Sequence, residues 1–469
     1  MLRAFHKGGP VVARKRIVLS RARIAVGAIL LLALLTPANG AADAAPSGPA
    51  ATSDNAVVRW NATAATAALA THLAPTDNPL HESRMYAMMH IAIHDALNAI
   101  QPRSQAYAFH GRARGASPEA AVAAAARTAL VGALTDLTPP FTDTSAAITG
   151  VETAYTSELA AIPDSTAKLA GVALGKKSAY TILARRADDG ASEVPLIGSD
   201  FPQGVNPGEY RFTPGTPFAF APTWGEVQPF ALRSVEQFPV APPFALDSAE
   251  YAADYNEVKR LGGDGVTTPS ARTADETEMA RFWVESSPLL WNRLARQLAT
   301  GRHLDLWQSA RLFGLLDLAL TDGYIATFAV KYELLFWRPV TAIQLGATDG
   351  NDATAQDPTW TPLVTTPPVP EHDSGHSVEG GAAAAVLRGF FKTDRMDFSL
   401  CSFTVLPGST CTDANPVMRH FTRFSQASAE NARSRVMVGF HFKHATTEGE
   451  EHGTKIGQLV VRNYLQPRH

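Results

Sequence analysis

Apolar residues recur three and four positions apart along most of the chain, and few stretches alternate residue by residue. From residue 56 to 190 the pattern is helical and Ala-rich. ESRMYAMMHIAIHDALNAI (82–100), SPEAAVAAAARTALVGAL (117–134) and DSTAKLAGVALGKKSAYTILARRADD (164–189) are each of helix length. Ser117, with Pro118 at the first helical position, and Asp164 read as N-caps. Helical pattern returns near Thr273 with TADETEMARFWVESS and WNRLARQLA, then the long run from 304 to 337. SVEGGAAAAVLRGFF (377–391), MRHFTRFSQASAENARSRVMVG (418–439) and HGTKIGQLVVRNYL (452–465) complete the set. The pattern predicts an all-α protein, a bundle of helices with long connections.

The helical pattern breaks between residues 195 and 243. Pro, Gly and aromatic residues crowd PQGVNPGEYRFTPGTPFAFAPTWGEVQPF, which reads as a long ordered loop lying over a site or sealing two bundles. The chain thus divides into a leader (1–42), an N-terminal helical region (43–190), a Pro/Gly/aromatic-rich connection (191–270) and a C-terminal helical core (271–469).

Charge changes the picture at the N-terminus. Arg3, Lys7, Arg14, Lys15, Arg16, Arg21 and Arg23 precede the apolar run IAVGAILLLALL and the small residues TPANGAADA. A basic region, a short apolar stretch and a small-residue exit predict a secretory signal peptide and a secreted or periplasmic protein. An uncleaved membrane anchor is the alternative, although spanning needs roughly 20 apolar residues. Setting those seven cations aside leaves 34 basic against 44 acidic residues. An acidic chain without basic runs is a poor nucleic-acid binder, so a positive cluster inside it would be a local feature built for an anion. Cys401 and Cys411 are the only cysteines. In an exported chain this pair most simply closes a small loop by a disulfide, and its spacing matches no common thiolate metal site. Homo-oligomers are compatible with all of this.

Three segments concentrate candidate chemistry. In KYELLFWRPV, Lys331 and Arg338 are seven apart, two helical turns, which puts both on one face if the helix continues; solvated charges on an amphipathic helix are the bland alternative. In VPEHDSGHSVEGG, Ser374 and Gly375 directly precede a helix start. Helix N-termini attract anions, Gly375 allows close backbone approach, and His376 sits where an acid or base would serve a bound anion. Glu371, His372 and Asp373 are expected to line the entrance or orient partners. In SRVMVGFHFKHATTEG, Gly439 can end a helix and let His441 swing back beside Arg435, with Lys443 and His444 flanking. One Lys, two Arg, a Ser–Gly helix start and two His form an inventory for a tetrahedral oxyanion. A serine hydrolase lacks its nucleophile elbow here, and zinc through His372 and His376 lacks a third ligand. His90 and His94, beside Asp95, read as buried hydrogen-bonded histidines.

In this order the three segments resemble the vanadium-dependent haloperoxidase and type-2 phosphatidic acid phosphatase superfamily, whose signature is K-x6-R-P, P-S-G-H and S-R-x5-H-x3-D. The matches are Lys331 with Arg338-Pro339, then Ser374-Gly375-His376, then Ser434-Arg435 with His441. MMHIAIHDALNAI, RTADETEMARFW, WNR and the aromatic–Pro insertion look like bacterial haloperoxidase-type members, so the resemblance spans nearly all of the chain after the leader. It implies a haloperoxidase/acid-phosphatase-like helical fold, either a haloperoxidase with vanadate as cofactor or a metal-free acid phosphatase with none. A catalytically silent anion-binding protein is the third reading. Lys331, Arg338, Ser374, Gly375 and Arg435 would hold the anion's oxygens, His441 would bond vanadium or become phosphorylated, and His376 would be the acid–base residue. The implied partners are small molecules: hydrogen peroxide, halide and an organic acceptor, or a phosphoester. Three positions depart from the family pattern. Asp373 replaces Pro and would add negative charge at the site's rim. Ala445 replaces the acid that would orient the His. Val369 stands where chloroperoxidases have Phe and bromoperoxidases His, with His372 as a substitute halide donor.

Overall fold

The computed structural model describes residues 55–137, 144–406 and 410–468; the leader at 1–42 lies outside them. Thirteen α-helices account for most of the described chain, with two small antiparallel ribbons beside them. The described residues form one compact unit.

The capping chemistry explains where helices begin. Asn55, Asn78, Ser117, Ser165 and Ser248 each accept a backbone N–H of the first turn. Thr273 with Glu276 and Asp305 with Gln308 make reciprocal capping boxes. Ser165, not Asp164, caps the helix Thr166–Arg185, because its hydroxyl reaches Lys168 N.

Ala and Gly let these helices approach to backbone contact. A Cβ on Gly175 would fall 2.2 Å from the Ala121 carbonyl oxygen, so Thr166–Arg185 lies directly on Pro118–Thr135. Gly381 likewise faces Glu450 O, with a virtual Cβ 2.2 Å away, and this brings Gly375–Phe391 against Lys443–Asn463. At the centre runs Leu306–Leu334, long and apolar enough to cross a membrane by length and composition, yet buried almost throughout by its neighbours.

Buried aspartates tie loops to this core. Asp322, midway along the central helix, accepts from Phe230, Ala231 and Leu232 N–H at 2.6–2.7 Å. Asp95 accepts from Tyr107, Ala108 and Phe109 N–H at 2.6–2.9 Å. Asp322 thereby fixes the end of the Pro-rich connection that carries Phe218 and Phe220 across the bundle. His90 and His94 are buried and hydrogen-bonded to Asn61 and to Ser104, as expected.

Several expectations need correction. The central helix stops at Leu334, where Leu335 turns left-handed (φ 47°), and Pro339 opens a separate short helix, Pro339–Gln344. Lys331 and Arg338 therefore do not share a helix face. Residues 191–270 include the helix Ala249–Gly262 as well as loop. Arg419–Arg423 is a strand paired with Arg395–Leu400, and the helix begins only at Phe424. Cys401 and Cys411 are disulfide-bonded beside this ribbon, with Cα atoms 5.2 Å apart.

Candidate anion-binding site

Four chain segments converge on one cavity of about 560 Å³. The last turn of the central helix brings Lys331, and Arg338 caps Pro339–Gln344. The helix Gly375–Phe391 brings its first two residues, Gly375 and His376. Arg435 comes from the last turn of Phe424–Met437. Gly439 (φ 87°) then ends that helix, and the reversal carries His441 back so that its N–H meets Arg435 O at 3.3 Å. All six line the cavity. Ser374 sits immediately behind it as N-cap residue, so the helix starts at Gly375, two residues earlier than expected. Its hydroxyl accepts from Ser377 Oγ at 2.9 Å and retains its own hydrogen.

His441 has a defined tautomer. Its Nδ1 donates to Glu371 Oε1 at 2.9 Å, and the same oxygen accepts Phe442 N–H at 3.0 Å. Arg338 Nη1 donates to His441 Nε2 at 3.0 Å, so that nitrogen carries no proton and its lone pair faces Arg338, which an incoming ligand would displace. Burial, with Arg338, Lys331 and Arg435 nearby, holds its pKa well below the ordinary imidazole value. A neutral ring with an oriented Nε2 lone pair is what a ligand or nucleophile requires. The orienting acid missing at Ala445 is thus supplied by Glu371, seventy residues before His441, which faces inward and does not line the cavity.

The cations are buried and incompletely compensated. Arg435 gives Nε to Ser434 Oγ at 3.0 Å, while both terminal nitrogens are buried without a partner among the described residues. Arg338 donates to the carbonyls of Val369 and Phe440. Burial lowers the pKa of Arg338 to about 10 and of Arg435 to about 9. Lys331 falls to about 7 through burial and Arg338. Its ammonium donates to three carbonyls, Pro370, Glu371 and Asp373, at 3.1, 2.9 and 2.5 Å. Lys331 therefore clamps the loop and lends charge. Burial raises Glu371 to about 8, which weakens the only carboxylate at His441 as a counter-ion.

Asp373 is turned away from the rim. It is fully buried, accepting from His452 Nδ1 at 2.9 Å and Thr327 Oγ1 at 2.5 Å. Burial pushes its pKa up, but the His452 hydrogen bond together with the nearby His452, Lys331 and His372 outweighs this and holds it below the usual value. His372 donates to Ala241 O at 2.7 Å and lies against His444, outside the cavity lining. It is not placed to serve a halide. His444 packs on Phe244, and neither it nor Lys443, the first residue of the last helix, lines the cavity. Val369 lines the cavity.

His376 is half-buried, with Nε2 3.3 Å from Glu285 O. Burial and Arg435 lower its pKa to about 3, so the ring is neutral until negative charge arrives beside it. Two unpartnered guanidinium nitrogens, the free N–H groups of a helix start and an oriented imidazole fit a tetrahedral oxyanion such as vanadate or phosphate.

The C-terminal part of the chain, residues 311–468, matches the family model of the vanadium chloroperoxidase second helical-bundle domain. The vanadium chloroperoxidase of Curvularia inaequalis is 25% identical over 493 aligned positions, covering 83% of this chain and 78% of that protein. Among solved structures, the first bacterial vanadium-dependent iodoperoxidase superposes with a TM-score of 0.72 at 22% identity, covering 90% of this chain and all of that one. A bacterial vanadium-dependent chloroperoxidase in its apo form gives 0.66 at 17% identity, covering 85% and 97%.

Proposed function

Since the chain belongs to the vanadium-dependent haloperoxidase and type-2 phosphatidic acid phosphatase superfamily, we propose that it is a vanadate-dependent haloperoxidase, oxidising halide with hydrogen peroxide. The observation that carries this reading is the pairing of an oriented, neutral His441 with the two unpartnered nitrogens of Arg435 in one cavity. Arg338, Arg435 and Lys331 would hold the oxyanion's charge, with Gly375 N–H and the Ser374 hydroxyl as further donors. His441 Nε2 would bond vanadium. When bound, vanadate supplies a Lewis-acidic centre at which peroxide is activated. His376 would hold and pass a proton at its ring nitrogens; its low pKa in the bare site rises once an anion sits beside it. Glu371 keeps the proton of His441 on Nδ1, away from the reacting side.

The second reading is a metal-free acid phosphatase using His441 as nucleophile. Val369 favours it, because no aromatic edge or imidazole stands there for a halide. A paired assay on one preparation, with and without vanadate, separates the two. Phenol halogenation that depends on vanadate supports the peroxidase; aryl phosphate hydrolysis that vanadate inhibits supports the phosphatase.

A further inference from the structure

The cradle occupies only the floor of its cavity. Above it, Phe218, Phe220, Phe328, Phe440, Pro367 and Pro368 make walls of rings and flat apolar faces. The ribbon of Ile197–Gly198 and Ala219–Phe220 hangs at the mouth, pairing Ile197 with Phe220. Ile197 lines the cavity yet is 47% exposed, an apolar side chain left at the opening. Phe218 and Phe220 are themselves only half-buried.

Neither halide nor peroxide needs such walls. Taking a water's share of liquid volume as ~30 Å³, an oxyanion, a peroxide and a halide together fill on the order of 200 Å³. The cavity holds about 560 Å³. Pockets of roughly 300–1,000 Å³ with apolar and aromatic walls accept organic molecules of drug size. Rings placed edge-on or offset against Phe side chains gain beyond simple burial.

We propose that this upper chamber binds an uncharged, apolar aromatic molecule, the organic acceptor, and that halogenation takes place on it while it is bound. The acceptor role rests on the haloperoxidase reading; the binding itself does not. In the overall exchange an aryl C–H bond becomes an aryl C–halogen bond. Halide supplies the halogen, and hydrogen peroxide takes up the two electrons. With the aryl proton and one from solvent, peroxide leaves as two waters. The loop that carries Phe218 and Phe220 then serves as an acceptor wall, which accounts for an aromatic–Pro connection held so firmly at Asp322.

The test uses the full chain and 1-naphthol as probe. Calorimetry should show saturable 1:1 binding to the vanadate-treated protein, weakened about tenfold in Phe218→Ala, consistent with part of a Phe side chain's burial. Tyr180→Ala, at an exposed residue that does not line the cavity, should bind as the wild type does. With bromide and peroxide, the ratio of 2-bromo- to 4-bromo-1-naphthol should differ from that given by hypobromous acid in the same buffer, and Phe218→Ala should move it toward that value. Absence of saturable binding overturns the inference. So does a hypobromous-acid product ratio from protein that retains vanadium and oxidises bromide, and the proposed function then still stands. Naphthol binding by protein that retains no vanadium supports the binding site and removes the peroxidase reading.

Discussion

Glu371 shows what a single residue contributes that motif spacing hides. The motif residues Lys331, Arg338, Gly375, His376, Arg435 and His441 were legible because each lies in a short, recognisable segment, and the fold brings them to one cavity. The partner of His441 was not legible, because 70 residues separate it from Glu371 and no local pattern records the pairing. Glu371→Ala should orphan His441 Nδ1–H and Phe442 N–H and weaken vanadate affinity about 10–100-fold, the usual effect of losing a ligand's orienting partner. Glu371→Gln, which keeps an acceptor, should recover part of the loss; equal affinities for wild type and Glu371→Ala would remove the role assigned here. Lys331 gives a pH prediction. Its pKa of about 7 in the bare site, set by burial and Arg338, must rise when an anion binds. Anion affinity should therefore be full below about pH 7 and fall as pH rises above it. Sulfate, whose own charge is constant from pH 5 to 9, makes the measurement clean. Calorimetric affinity that is flat or rising across that range would contradict the assignment.

At the scale of elements, the helices were read from apolar periodicity and caps, and most hold: Ser117 caps its helix, helical structure resumes after Thr273, and the helix after Ser374 is present though it starts two residues early. The misses have physical causes. A left-handed Leu335 ends the central helix despite an unbroken apolar run, because the chain must turn for Arg338 to reach the Val369 and Phe440 carbonyls. Arg395–Leu400 does alternate, with Met396, Phe398 and Leu400 inward, but six residues beside a helix are a weak signal. The Pro-rich connection was expected to cover a site, and Thr216, Phe218 and Phe220 do line the cavity. Asp322 is one of its attachments, beside Phe220 N–H to Pro368 O and Gln228 N–H to Asp189 O. Asp322→Ala should leave three consecutive N–H groups without their acceptor and destabilise the protein by about 3 kcal/mol, since each charge-assisted bond contributes roughly 1.5–3 kcal/mol and the three are not additive. Urea unfolding reads this directly; a midpoint unchanged from wild type would show that the loop is held by other contacts.

For the whole molecule, one compact bundle places buried cations, an oriented histidine and an aromatic chamber in a single cavity. Val369 bears on which halide such a protein would take. With neither ring edge nor N–H at that position, and His372 committed to Ala241 O, iodide and bromide should be oxidised in preference to chloride. Val369→His should raise bromide oxidation, and efficient chlorination by the wild type would count against this reading. The central claim is that His441 and the arginine cradle hold vanadate, and elemental analysis after reconstitution with orthovanadate and desalting tests it most directly. Wild-type protein should retain vanadium near 1:1, His376→Ala should retain it as well, and His441→Ala should lose it. Wild-type protein that keeps no vanadium, or His376→Ala and His441→Ala variants that behave alike, would contradict the account.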